Sequence, residues 1–90
     1  MAFSQVTDVH SVVYPNPTNG KVMVQFDEAV LETVTVEIIN VTGEQVYQTS
    51  LKVNTDSNLF ELNLFTLSKG VYTIKYRTSH NQWHEKLIVQ

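Results

Sequence analysis

The chain has 90 residues, 42% of them hydrophobic and 17% charged, with a formal net charge of −3 and no cysteine. This length fits a single globular domain with a thin core, and the lack of cysteine excludes disulfides and thiolate zinc sites. Six scattered lysines and arginines argue against nucleic-acid binding, and no segment has the ~18 consecutive apolar residues that a membrane span requires.

Alternation of apolar and polar residues with a period of two predicts strands along most of the chain. In chain order, the predicted strands cover residues 10–14, 21–26, 34–39, 44–51, 60–64, 72–77 and 82–89. About seven short strands with turns every ~8–12 residues are typical of an immunoglobulin-like antiparallel β-sandwich. The predicted core consists of Val22, Val24, Val34, Val36, Ile38, Leu62, Leu64, Tyr72 and Ile74. Residues 10–90 are therefore expected to form one domain, preceded by a linker at residues 1–9.

Proline and glycine mark the first turns. Pro15 and Pro17 fix φ and remove two backbone donors, so residues 14–19 cannot continue a strand ladder. Gly20 can take the positive φ from which the next strand starts. Gly43, after Thr42, predicts a tight hairpin between the third and fourth strands.

Two later turns are also predicted to be hairpins. Ser68-Lys69-Gly70 is expected to close a tight hairpin before Val71, with a positive φ at Gly70. His80-Asn81 is the predicted tip of the final hairpin, where Asn81 tolerates a left-handed conformation.

The last strand has an ambiguous phase, because Trp83, Leu87 and Val89 share a face with Glu85. We expect Leu87 and Val89 to face the core, since side chains alternate between the two faces of a strand. The residues expected to point outward are Lys86, Ile88 and Gln90. A partner could read this strand through its outward side chains or by adding a strand to its edge.

Three blocks of sequence carry a family resemblance. The first is VYPNPTNG at residues 13–20, and the second is VEIINVTGEQV at residues 36–46. The third runs from Leu62 through Gly70 and Tyr72 to KLIVQ at residues 86–90. In this order and spacing, they resemble the C-terminal sorting domain of Bacteroidetes proteins exported by the type IX secretion system. The resemblance covers nearly all of residues 12–90, although Glu44 and His80-Asn81 stand where the family often has Lys and Gly.

The resemblance implies a non-catalytic address label that needs no cofactor. It implies that the parent protein folds in the periplasm, that the outer-membrane type IX translocon recognises this domain, and that a surface sortase cuts upstream of it. The N-terminal cargo domains would then be secreted or attached to the cell surface. The candidate recognition residues are Pro15, Asn16, Pro17, Gly20, Gly43, Gly70, Tyr72, Lys86, Leu87, Ile88 and Val89.

Each of these features also has a purely structural interpretation. The Pro-Asn-Pro segment is equally explained as a rigid crossover between strands, and the three glycines are explained by positive φ. Metal binding is not expected, because His84 and Glu85 are neighbours in a strand and point to opposite faces. Catalysis is not expected either, since no nucleophile motif is present.

The alternative function is a generic immunoglobulin-like module that binds carbohydrate or mediates adhesion. Trp83 and Tyr47 would then form an exposed platform for a sugar, whereas the structural interpretation packs Trp83 into the core. Position in the parent gene separates the two functions, because a sorting domain is expected to come last. Residues 1–5 lack the basic region and apolar run of a signal peptide, so an exported form is expected to be part of a longer protein.

Overall fold

The computed structural model describes residues 10–27 and 30–90, which form seven β-strands and include no helix able to cross a bilayer. The strands are β1 (Ser11–Tyr14), β2 (Lys21–Phe26), β3 (Thr33–Ile39), β4 (Gln45–Lys52), β5 (Leu59–Asn63), β6 (Gly70–Arg77) and β7 (Gln82–Val89). Every predicted strand is present, with ends that differ from the prediction by at most two residues. The predicted linker at residues 1–9 lies outside the described residues.

The strands form two antiparallel sheets that pack face to face. The smaller sheet has the order β1-β2-β5, and the larger sheet has the order β4-β3-β6-β7. Three of the pairs join strands that are consecutive in the chain, β1-β2, β3-β4 and β6-β7, whereas β2-β5 and β3-β6 join strands that are not consecutive. The chain passes from one sheet to the other after β2, after β4 and after β5. The predicted all-β, immunoglobulin-like sandwich is confirmed.

Along each strand, every second side chain points into the space between the two sheets, and these side chains form the core. In β3, Val34, Val36 and Ile38 are fully buried, while Thr33, the first residue of the strand, is exposed. All nine predicted core residues are buried. The core also contains Val13, Phe26, Val30, Val53, Tyr76, Leu87 and Val89. The apolar period in the sequence therefore identified the inner faces correctly.

The hairpin predicted at Ser68–Gly70 is wrong, because the strands on either side of it lie in different sheets. This segment is a crossover from β5 in the smaller sheet to β6 in the larger sheet. The N–H of Leu67 donates to the Leu64 carbonyl oxygen at 3.0 Å, and the Tyr72 hydroxyl donates to the Ser68 carbonyl oxygen at 2.6 Å. These bonds hold the crossover close to the start of β6.

The final hairpin turns without a left-handed residue. No non-glycine residue in the described ranges has a positive φ, so the left-handed conformation suggested for Asn81 is wrong. The N–H of Thr78 donates to the Asn81 carbonyl oxygen at 2.9 Å, and the Thr78 hydroxyl oxygen accepts the N–H of Asn81 at 3.0 Å. The threonine side chain thus closes the turn from within.

Trp83 and Tyr47 do not form one aromatic platform. They lie on β7 and β4, the opposite edge strands of the larger sheet, and both pack against the core. Trp83 stacks on Tyr76 with ring centroids 5.3 Å apart, and its indole N–H donates to the Ser11 hydroxyl at 3.0 Å. The structural interpretation of Trp83 is confirmed, and the sugar-platform hypothesis loses its aromatic surface.

Candidate recognition site at the last strand

The segment Pro15–Pro17 folds onto the last strand. The peptide bonds before both prolines are cis, and Asn16 lies between them. The Asn16 Nδ2 donates to the Lys86 carbonyl oxygen at 2.7 Å, and the Asn16 Oδ1 accepts the N–H of Ile88 at 3.0 Å. The side-chain amide therefore bonds to β7 as a peptide group of a neighbouring strand would.

Thr18 extends this contact through its backbone. Its N–H donates to the Ile88 carbonyl oxygen at 2.9 Å, and its carbonyl oxygen accepts the N–H of Gln90 at 2.8 Å. The side chain is only 2% exposed, and its hydroxyl donates to the Lys21 carbonyl oxygen at 2.7 Å and accepts the N–H of Gly20 at 3.0 Å. Every polar group of Thr18 is satisfied, so this residue fixes the loop between β7 and the start of β2.

Gly20 is required where the loop enters β2. Its φ is +136°, and a Cβ at this position would overlap the Phe65 ring. Gly43 differs, because its φ is +89° but no atom outside the turn lies within 4 Å of a Cβ there. Backbone conformation alone therefore explains Gly43, whereas Gly20 is needed for both conformation and space.

The outward edge of β7 is closed over its C-terminal half. Backbone groups of alternate residues point to the same side of a strand, so Lys86, Ile88 and Gln90 present theirs to this edge. Asn16 and Thr18 bond to the Lys86 carbonyl, to both backbone groups of Ile88 and to the Gln90 N–H. Strand addition at this part of the edge is thereby blocked.

The facing predicted for β7 is confirmed. Leu87 is fully buried and Val89 is 5% exposed, whereas Lys86 is exposed and Ile88 is half-buried on the outer face. On β6, Tyr72 pairs with Leu87, and Gly70 pairs with Val89. Most of the candidate recognition residues therefore lie together around β7. The exception is Gly43, which lies in the turn between β3 and β4. This turn is far from β7, because β6 lies between β3 and β7 in the sheet.

A small polar cluster explains why the phase of β7 was ambiguous. Glu85 lies on the inner face and is half-buried, and its Oε2 accepts a hydrogen bond from the Ser11 hydroxyl at 3.1 Å. The Tyr76 hydroxyl is buried beside them with no hydrogen-bond partner among the described residues. Burial raises the pKa of Tyr76 well above its usual range, and the charge of Glu85 raises it further. The inner face of β7 can thus hold the Glu85 carboxylate because the Ser11 hydroxyl donates a hydrogen bond to it.

Sequence reasoning missed the roles of Ser11 and Thr18, the two buried polar residues of the described chain. Ser11 shares the inward phase of β1 with Val13, which is a weak signal for burial. Thr18 follows a proline and precedes Asn19-Gly20, a context that favours side-chain bonds to the backbone of a turn. Neither signal identifies the partner, because Glu85 and Ile88 lie about 70 residues further along the chain.

No three histidine or acidic side chains converge into a metal site within residues 10–27 and 30–90. His84 is exposed on the outer face of β7, and Glu85 is half-buried on the inner face. The candidate recognition site consists of hydrogen bonds to the β7 backbone and of outward side chains around this strand.

Comparison with known proteins adds the family. A family model described as a secretion system C-terminal sorting domain matches residues 12–90, which include the loop at Asn16 and all of β7. A comparison with curated proteins found no match. Families of sorting-signal domains are generally non-catalytic, and a tail of this kind implies a secreted or cell-surface cargo protein. This chain belongs to the family of type IX secretion system C-terminal sorting domains.

Proposed function

We propose that this domain directs a larger cargo protein through the outer-membrane type IX translocon, after which a surface sortase cuts upstream and attaches the cargo to the cell surface. The family match over residues 12–90 carries this proposal. In it, the domain performs no chemistry, and the N-terminal cargo domains are its passengers. The domain acts as one folded unit, residues 10–90.

The proposed reading surface combines the loop Pro15–Pro17 with the outward side chains of Lys86 and Ile88. Its support is that Asn16 bonds directly to the backbone of these two residues, so loop and strand form a single surface. Because the C-terminal half of the β7 edge is occupied, the translocon reads side chains there. Leu87 and Val89 contribute by holding the strand in the core.

The test is export of a reporter protein. The 90-residue chain is fused to the C-terminus of a folded periplasmic reporter and expressed in a type IX-competent cell. We expect the reporter at the cell surface or in the medium, and no export from a cell that lacks the translocon. A folded fusion that stays in the periplasm would refute the sorting function and favour the generic binding module.

A single substitution then separates recognition from folding. Lys86 is exposed, and changes at exposed lysines usually alter stability by about 0.5 kcal/mol or less. We expect Lys86→Glu to reduce export strongly while the melting temperature of the purified domain stays nearly constant. Ile88→Pro removes the N–H that bonds to Asn16 and should impair both export and stability. Normal export of both variants would show that the last strand is structural only and would leave the Pro15–Pro17 loop as the remaining part of this reading surface.

A further inference from the structure

The outer face of the larger sheet is basic in an acidic protein. Four of the six lysines and arginines of the chain point to this side: Lys52, Lys75, Arg77 and Lys86. Glu37 is the only acidic residue on this side of the four strands, all of which are described. The face therefore carries a formal charge of +3, whereas the whole chain carries −3. We call these five residues, together with His84, the basic face.

The strand register brings the centre of the basic face together. Lys75 lies directly opposite Glu37 on one side and His84 on the other, and Arg77 occupies the next outward position on β6. Arg77 forms an ion pair with Glu37 at 3.7 Å. No carboxylate in the described ranges lies within ion-pair distance of Lys75 or Lys86. Glu37, the acidic residue of this face, is thus already paired with Arg77.

A shallow depression marks the middle of this face. It has a volume of about 250 Å³ and is lined by Glu37, Lys75, Arg77 and His84, together with Gln82 and parts of Tyr76 and Trp83. A depression with more cationic than anionic groups suits a single carboxylate from a partner. Its size and openness do not suit a drug-sized ligand, which a deep and mostly apolar pocket would bury.

Apolar side chains continue the basic face toward the C-terminal end of the chain. Val71 on β6 and Ile88 on β7 lie opposite each other, and both point to the outer side of the sheet. Val71 is 43% exposed, and Ile88 is half-buried. No aromatic side chain of the four strands points outward here, since Tyr47, Tyr72, Tyr76 and Trp83 all pack into the core. Membrane-surface segments usually insert aromatic or leucine anchors, which this face lacks. A flat surface with apolar and basic parts fits a protein interface better.

We propose that the basic face binds an acidic protein surface, with one carboxylate of the partner seated among Lys75, Arg77 and His84. This inference rests on the proposed sorting function, in that the partner is taken to belong to the translocon. The basic face would be a second contact with the translocon, distinct from the loop Pro15–Pro17. The chemistry of this contact would be the binding of a carboxylate by cationic side chains. Long-range attraction between the +3 face and an acidic partner also speeds their encounter.

The test uses the reporter fusion with two matched charge reversals. Lys75→Glu changes the centre of the face, and Lys69→Glu makes the same change of charge in the turn before β6, off the face. We expect Lys75→Glu to lower the rate of export at least about ten-fold, because a like charge at an interface costs several kcal/mol. Lys69→Glu should export normally. Lys75→Gln, which avoids placing two carboxylates side by side, should give an intermediate rate and an unchanged melting temperature.

Each outcome has a distinct meaning. Equal export of Lys75→Glu, Lys75→Gln and Lys69→Glu would overturn the basic face and leave the sorting function intact. Retention of the unsubstituted fusion in the periplasm would overturn both. The purified chain is also mixed with phosphatidylglycerol vesicles in 0.15 M salt and centrifuged. Binding to the vesicles that Lys75→Glu abolishes would assign the face to anionic lipid and overturn the protein partner.

Discussion

The contact between Asn16 and β7 makes a sharp prediction, because Asn16 uses both ends of its amide. Asn16→Ala removes both hydrogen bonds at the cost of ~0.5–1 kcal/mol each, since the site is exposed to water. The expected loss of about 1–2 kcal/mol corresponds to a fall in Tm of about 5–10 °C for a domain of this size.

Asn16→Asp has the same shape but changes the chemistry at one end. It keeps the acceptor for the N–H of Ile88, but it places a carboxylate oxygen against the Lys86 carbonyl oxygen, where the native amide lies at 2.7 Å. Two acceptors at this distance repel, so Asn16→Asp should destabilise at least as much as Asn16→Ala at pH 7. Below about pH 4 the protonated side chain can donate again, and its deficit relative to the native chain should shrink.

Asn63→Asp is the matched control for this substitution. Within residues 10–27 and 30–90, the Asn63 side chain makes one hydrogen bond, in which its Oδ1 accepts the N–H of Phe65 at 3.1 Å, so an aspartate can replace it without losing this bond. Urea and thermal unfolding of the three variants between pH 3 and pH 8 measure the differences. Equal stability of Asn16→Asp and Asn63→Asp at pH 7 would refute the claim that the loop is bonded to β7.

Three further predictions concern the core, the final hairpin and metals. Ile74→Ala should cost about 2–5 kcal/mol in chemical unfolding and Thr73→Ala less than half of that, because Ile74 is fully buried and Thr73 faces outward; the reverse order would contradict the facing. Hydrogen bonds from Ser79 lower the pKa of Glu32 below its usual 4.5, so its stabilising effect is present above pH 4.5 and is lost as the pH falls through the lower folded value. Glu32→Gln should therefore flatten the acid side of the plot of Tm against pH, and an unchanged slope would count against this bond. Titration calorimetry with zinc or calcium should show no binding tighter than the millimolar range, and micromolar affinity abolished by His84→Ala would disprove this.

The alternation of apolar and polar residues was enough to predict the strands and the side chains that each one buries. This is possible because the period of two assigns side chains to one face or the other before the pairing of the strands is known. Ile38 and Ile74 illustrate this, since both were assigned inward from alternation and both are fully buried. The crossover at Ser68–Gly70 was not predictable in this way, because the same turn residues serve a hairpin and a connection between sheets. The choice between them depends on which strands pair, and pairing is a property of the whole chain.

The arrangement of the candidate recognition site could not be predicted from the sequence for the same reason. Asn16 and Lys86 were both candidates, but they were treated as separate signals, and the bond between them joins residues 70 positions apart. Nothing in the sequence near Asn16 identifies β7 as its partner. Sequence alone therefore named Asn16 and Lys86 as candidates but did not predict that they lie in one surface.

The proposed signal is thus tied to the folded state of the domain. Lys86 and Ile88 keep their outward positions only while Leu87 and Val89 are packed in the core, and the loop reaches them only when β1 and β2 have paired. An unfolded chain would present the same residues without this arrangement, since contacts across about 70 residues carry a large entropic cost until the core forms. A receptor that reads this surface consequently reads whether the domain has folded as well as what its sequence is.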